Sequence, residues 1–253
     1  MASSNKTASE ARFERYLIEH GYRFEHHPSM SITKRPDYLF ERGSEQAVCE
    51  VKEFRTRRIS ERLSHMGGTA VMSPKDVFGA VRNAVDDAAA QLKPLAGKNL
   101  ALVVLLANPH VAEVMLDVDH VVWALYGNPG WRIAVHRESG ETEPGQHFAG
   151  GDGALTAKHA YVSAVVTLHE REFEQDWADA KVKEFEDPWD FLRYAAEARE
   201  CGEVPEGNRR WVEVIHTISA AEGGAVALPD SLFDGPDDHV WALNEDAAYE
   251  RRR

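Results

Sequence analysis

Pro36-Asp37-Tyr38-Leu39-Phe40-Glu41-Arg42-Gly43-Ser44-Glu45-Gln46-Ala47-Val48-Cys49-Glu50-Val51-Lys52-Glu53-Phe54 reads as two β-prone runs joined by a polar connection. A glycine inside that connection, at 41–44, is the signature of a hairpin. Successive side chains on a strand point to opposite faces, so Glu50 and Lys52 share one face and Cys49 and Val51 the other. Pairing of the two runs sets Asp37, at the head of the first, beside Glu50 on the second. Two carboxylates and an amine placed this way can hold a divalent ion and a water against a phosphodiester. Mg2+ suits such a site, because it takes few carboxylates and keeps waters and phosphate oxygens as its other ligands.

Working outward, residues 8–20 carry Phe13, Tyr16, Leu17 and His20 at helical spacing and stop at Gly21. Residues 22–26 read as a first strand, broken by Pro28. After the hairpin, 54–73 read as a long loop with Gly67-Gly68, a mobile flap over a substrate. Ser73-Pro74-Lys75-Asp76 is a helix start, with Ser as cap and Pro at the first position. Val77, Val81, Ala84, Val85, Ala88 and Leu92 then line one face up to Lys93-Pro94. Leu100-Ala101-Leu102-Val103-Val104-Leu105-Leu106 is the longest apolar run, right for a buried strand and far too short to span a bilayer. Further on, 110–126 reads as helix, 131–137 as strand and 138–153 as an exposed loop. A strand at 161–169 follows, then an acidic helical region over 170–199 interrupted at Pro188, then strands at 211–219 and 240–243. The six tryptophans all fall in this second part and read as core residues.

The order helix, strand, strand, helix, strand, with the Pro36-Asp37 and Glu50-Val51-Lys52 elements in place, resembles the PD-(D/E)XK nuclease superfamily. Two flanking segments extend the resemblance. Phe13-Glu14-Arg15-Tyr16-Leu17-Ile18-Glu19-His20-Gly21-Tyr22 looks like the first helix of its resolvase-like branch, with Glu14 at the position of a glutamate that reaches the metal site. Val81-Arg82-Asn83-Ala84-Val85-Asp86-Asp87-Ala88-Ala89-Ala90-Gln91-Leu92 looks like the helix after the catalytic strands, with Gln91 near the site. The resemblance covers about residues 8–107. It implies an α/β fold: a restriction endonuclease-like core with a central mixed β-sheet flanked by helices, plus a C-terminal elaboration of strands and helices. On that basis 1–107 is the catalytic core, and 108–253 a sheet extension or acidic subdomain packed on it, or one continuous domain with it. The implied activity is Mg2+- or Mn2+-dependent cleavage of nucleic acid, DNA ahead of RNA. Asp37 and Glu50 would be metal ligands, Glu14 an accessory ligand, and Lys52 the group that orients water and offsets developing charge. Each residue also has an ordinary reading. Pro-Asp opens many strands, Glu-x-Lys pairs charges along many others, Glu10, Glu14 and Glu19 fit the wet side of a helix, and Gln91 fits a solvent-facing position.

Charge sets a constraint on this picture. The 253 residues carry a formal net charge of −13, which opposes binding to a polyanion. Yet residues 1–100 hold 16 Lys/Arg against 13 Asp/Glu, while 101–253 hold 13 against 29. The acid excess lies outside the candidate catalytic part and disfavours indiscriminate duplex binding. Arg55, Arg57, Arg58 and Arg62 follow the catalytic strand directly, and their forked donors suit phosphate oxygens. A homodimer or a protein partner fits the acidic part, and the alternative function is a catalytically silent nuclease-fold protein that binds nucleic acid or a protein partner. Cys49 and Cys201 form no ligand spacing or disulfide framework, and 1–6 lacks a hydrophobic signal core, so a reducing cytoplasm and no membrane are expected. None of the 12 histidines has the spacing of a zinc site, the His26-His27 pair included.

Overall fold

Thr7 opens the first helix, α1 (Ala8–Glu19), through a reciprocal cap: its hydroxyl accepts from the Glu10 N–H (3.2 Å) and its own N–H donates to Glu10 Oε2 (2.6 Å). The computed structural model describes residues 6–30, 35–54, 74–109, 116–127, 129–135, 142–149, 155, 159–174, 181–185, 187–201, 203, 209–219, 225–243 and 249–252. Gly21, at φ 72°, turns the chain out of α1 into β1 (Arg23–His26). β1 pairs antiparallel with β2 (Tyr38–Arg42), and β2 pairs antiparallel with β3 (Glu45–Glu53). The hairpin closes through Gly43 and Ser44, with Gly43 at φ 63°. That conformation is open to glycine without steric cost.

Helix α2 (Pro74–Leu92) then leads to β4 (Ala101–Ala107), which runs parallel to β3, and β7 (Ala164–Glu174) runs parallel to β4. Between them lie α3 (Val118–Tyr126), β5 (Pro129–Val135) and β6 (Thr142–Ala149). The chain continues through α4 (Pro188–Glu200), β8 (Arg209–Ser219), β9 (His239–Leu243) and β10 (Tyr249–Arg251). The fold is α/β: one mixed eight-stranded sheet in the order β1-β2-β3-β4-β7-β8-β9-β10, flanked by helices, with β5 and β6 as a separate ribbon.

The chain forms two compact units, Met1–His169 with Ile215–Arg253, and Glu170–Val214. In the larger unit, strand parity sorts the core into two layers. Ala47, Cys49, Val103, Leu105, Ala164 and Val166 face α1, where they meet Phe13, Tyr16, Leu17, Tyr38, Phe40 and Phe233. Val48, Leu102, Val104, Leu106 and Val165 face the other way, against Val81, Val85, Ala88 and Leu92 of α2 and Val121, Ala124 and Leu125 of α3. Every residue of β4 is buried, as a strand covered on both faces requires. A late segment completes the α1 layer. Phe233 packs against Phe13, Tyr16, Tyr22 and Phe40. Buried Asp238 accepts from the Tyr16 hydroxyl, from Ile215 N–H (2.7 Å) and from Gly235 N–H (2.8 Å). A Cβ on Gly235 would stand 2.7 Å from Asp238 Oδ2, so the loop closes only with glycine there.

The smaller unit carries α4, whose first turn takes Pro188 and the Asp187 carboxylate accepting from Trp189 N–H (2.9 Å). Phe185 packs on Phe191 and Tyr194.

The acidic helical region does break at Pro188: a 3-10 turn, Val182–Glu184, ends before it and α4 begins on it, because proline lacks only an N–H that the first turn leaves unpaired. Three sequence expectations shift. The segment after His169 stays a strand through Glu174 before any helix begins. Residues 142–149, read as loop for their Pro and Gly, pair with β5 across a register shift, a place where a two-stranded ribbon tolerates proline. Trp189 is 72% exposed, so it is no core residue. Residues 54–73 lie, apart from Phe54, outside the described residues, as do 110–115.

Leu105 is fully buried between Val51 of β3 and Val166 of β7. Leu105→Ala should lower unfolding free energy by about 2–5 kcal/mol in urea titration. A loss below about 1 kcal/mol would be incompatible with β4 as the central covered strand.

Candidate active site at one end of the sheet

The β2–β3 register pairs Tyr38 with Cys49, so the residue before β2, Asp37, falls opposite Glu50. Asp37 Oδ2 accepts from the Val51 N–H at 2.8 Å, which fixes the carboxylate across the hairpin. Glu50 and Lys52 have the parity of Val48, the α2 face. Lys52 Nζ donates to Glu50 Oε1 at 2.9 Å, and Gln91 Nε2, on the last turn of α2, donates to the same oxygen at 2.5 Å. Glu50 Oε2 is buried and has no hydrogen-bond partner among the described residues.

Burial raises the Glu50 carboxyl, the Asp37 charge raises it further, and the attraction of Lys52 only partly offsets them, leaving it pushed up to about 7. Burial also raises Asp37, against the stabilising Val51 N–H, and the Glu10 charge adds to the rise. The cluster is therefore short of positive charge. The Cys49 thiol, fully buried on the opposite face, is pushed well up by that burial and further by the Asp37 and Glu50 charges.

The N-terminal half of α1 borders the same end of the sheet. Ser9 N–H donates to Glu53 Oε2 at 3.0 Å. Glu14 lies near the cluster, but both its oxygens are engaged: Oε1 accepts from the Tyr38 hydroxyl (3.1 Å) and Oε2 from Lys6 Nζ (2.7 Å). Glu10, one turn earlier, is the helix residue whose charge bears on Asp37, and its Oε1 lies 3.3 Å from His26 Nε2. Burial opposes the charge on Glu10, yet the Thr7 cap and the His26 ring outweigh it and hold the carboxyl below its ordinary range.

Of the residues singled out in the sequence, Asp37, Glu50, Lys52 and Gln91 come together, whereas Glu14 is engaged by Tyr38 and Lys6. Arg55, Arg57, Arg58 and Arg62 lie outside the described residues. Sequence reasoning passed over Glu10, His26 and His27. The Thr7-Ala8-Ser9-Glu10 pattern marks Glu10 as a capping residue, and a His-His doublet gives no ligand spacing by itself. Other histidines are satisfied locally: His159 sits between Asp86 (2.8 Å) and Tyr161 (3.0 Å), and His169 meets Thr167 (2.8 Å).

No protein-family model, curated protein or solved structure matches this chain.

The buried carboxyl makes a pH prediction. A native pKa near 7 against an unfolded value of 4.5 means the native state retains a proton that the unfolded chain releases first. The Glu50 contribution is then full below pH 4.5 and is lost as pH rises through 7. In chelator-treated protein, Glu50→Gln should gain stability over the parent by on the order of 1–3 kcal/mol at high pH, and little at pH 4–5. Thermal melts of both proteins from pH 4.5 to 8.5 check this, and parallel curves would refute it.

Proposed function

We propose that this chain is a metal-dependent nuclease with a PD-(D/E)XK-type, restriction endonuclease-like core, hydrolysing phosphodiester bonds of nucleic acid, DNA ahead of RNA. The observation that carries the reading is the convergence of Asp37, Glu50, Lys52 and Gln91, from the head of β2, from β3 and from α2, at one end of the sheet. Each of these residues also has the identity the motif calls for.

The donor set fits Mg2+ or Mn2+. Asp37 and Glu50 offer hard oxygen ligands, their carboxyls are raised by burial and by neighbouring carboxylate charge, and Glu50 Oε2 is a buried acceptor without a described partner. When bound, the ion would supply charge for the phosphate oxygens and acidify a bound water. The protein residues then have separate tasks. Asp37 keeps Oδ1 available while Val51 holds Oδ2. Gln91 acts as a positioning residue, fixing the plane of the Glu50 carboxylate. Lys52, its side chain 22% exposed, presents ammonium hydrogens to both Glu50 and the solvent side. It can align the attacking water and offset charge as the oxyanion forms. Glu10 adds a further negative charge beside Asp37.

The acid excess of residues 101–253 supports a narrow substrate or a partner over general degradation. It is also what favours the non-cutting alternative.

Purified protein with Mg2+ or Mn2+ should cleave at least one of linear, branched and single-stranded DNA. Asp37→Asn and Lys52→Ala should each reduce the rate by about 100-fold or more, and Gln91→Ala by about 10-fold. Full activity in Asp37→Asn or Lys52→Ala would end this reading. Mn2+ binding without cleavage of any substrate would favour the silent binder.

A further inference from the structure

On a regular strand, residues 26 and 27 would send their side chains to opposite faces. Here the two imidazoles lie together, with ring centroids 3.8 Å apart and planes 31° from parallel. His27 achieves this with a left-handed backbone, φ 51°. That conformation is costly for a residue with a Cβ and persists where its surroundings enforce it, often at functional sites. Enforcement comes from the His27 N–H, which donates to the Asp37 carbonyl at 2.8 Å. The Tyr38 ring, 5.0 Å from that of His26, flanks the pair. α1 brings Glu10 to the same place, with Oε2 tied to the Thr7 N–H and Oε1 turned to His26. One donor atom from each of Glu10, His26 and His27 falls within 4.8 Å of the others.

Metal–ligand bonds of about 2.1 Å set neighbouring donors roughly 3.0–3.4 Å apart. The Glu10–His26 separation of 3.3 Å already has that value, and the exposed His27 ring can close the remainder by rotation. We propose that Glu10, His26 and His27 form a binding site for a transition-metal dication of the Zn2+, Co2+ or Ni2+ class. It is distinct from the Asp37–Glu50 pair and independent of whether the chain cuts nucleic acid. Two imidazole nitrogens and one carboxylate select such ions, whereas Mg2+ and Ca2+ favour oxygen-only shells. Asp37 Oδ1, 4.0 Å from His27 Nδ1, is close enough to respond to occupancy.

The test is titration of the full chain, stripped with chelator, with Co2+ and separately with Mg2+. Calorimetry gives the affinity, and visible absorption reports the ligand field. One Co2+ equivalent should bind at least about ten-fold more tightly than Mg2+. His26→Ala and His27→Ala should each weaken it about ten-fold or more, while Glu50→Gln leaves it within about two-fold. His27→Gln changes an exposed ring, so it should keep the parent's circular dichroism and still lose the site. Equal Co2+ binding by the parent and the folded histidine variants would overturn the proposal. So would a Co2+ equivalent that disappears with Glu50→Gln and persists without the imidazoles, because the ion would then belong to the carboxylate pair.

Discussion

The pairing register of β2 with β3 is the constraint on which the rest depends. With Tyr38 opposite Cys49 and Phe40 opposite Ala47, those residues face α1, while Glu50 and Lys52 face α2. A slip by one residue would exchange the two sets, burying Glu50 and Lys52 under the aromatic layer and presenting Cys49 and Val51 to Gln91. What prevents it is packing. Tyr38 and Phe40 lock edge-on against Phe13 at centroid distances of 5.3 and 5.8 Å, and the two-residue turn at Gly43 and Ser44 leaves no slack. Hydrophobic burial at one layer thus places polar chemistry at the other.

Among the described residues, two kinds of buried charged or imidazole group stand in contrast. Asp238 receives three donors, and His159 is held between Asp86 and Tyr161, so these interior groups are satisfied by the fold itself. The Asp37–Glu50 pair is different. Two desolvated carboxyls share one neighbouring ammonium, which bonds Glu50, and buried Glu50 Oε2 has no hydrogen-bond partner among the described residues. Desolvated carboxyls with this little compensation cost stability.

Much of this was legible in the sequence, for identifiable reasons. The all-apolar run that became β4 can only be a covered strand, and period-two alternation assigned Glu50 and Lys52 to a shared face. Gln91 was the weaker reading, since helix periodicity places it at the border of the apolar face and only the α2-to-β3 packing turns its amide to Glu50. Glu10 was hidden because its capping role explains it fully at the local level. His27 was hidden because alternation assigns its ring to the wrong side, and only the left-handed backbone, set by a bond to Asp37, reverses that. Pro144 misled because proline marks an irregularity without excluding a strand around it.

The tie between Tyr16 and Asp238 spans 222 positions of the chain. On the ribosome the first helix emerges early, but its aromatic layer stays open until Phe233 and Asp238 leave the exit tunnel. Until then Phe13, Tyr16, Tyr22 and Phe40 lack the Phe233 partner and present apolar surface, the kind that makes incomplete chains prone to aggregate. Closing so distant a contact also slows the final step, because ordering the intervening chain must precede the gain. The nascent chain completes the layer over α1 only as the segment just before β9 is made.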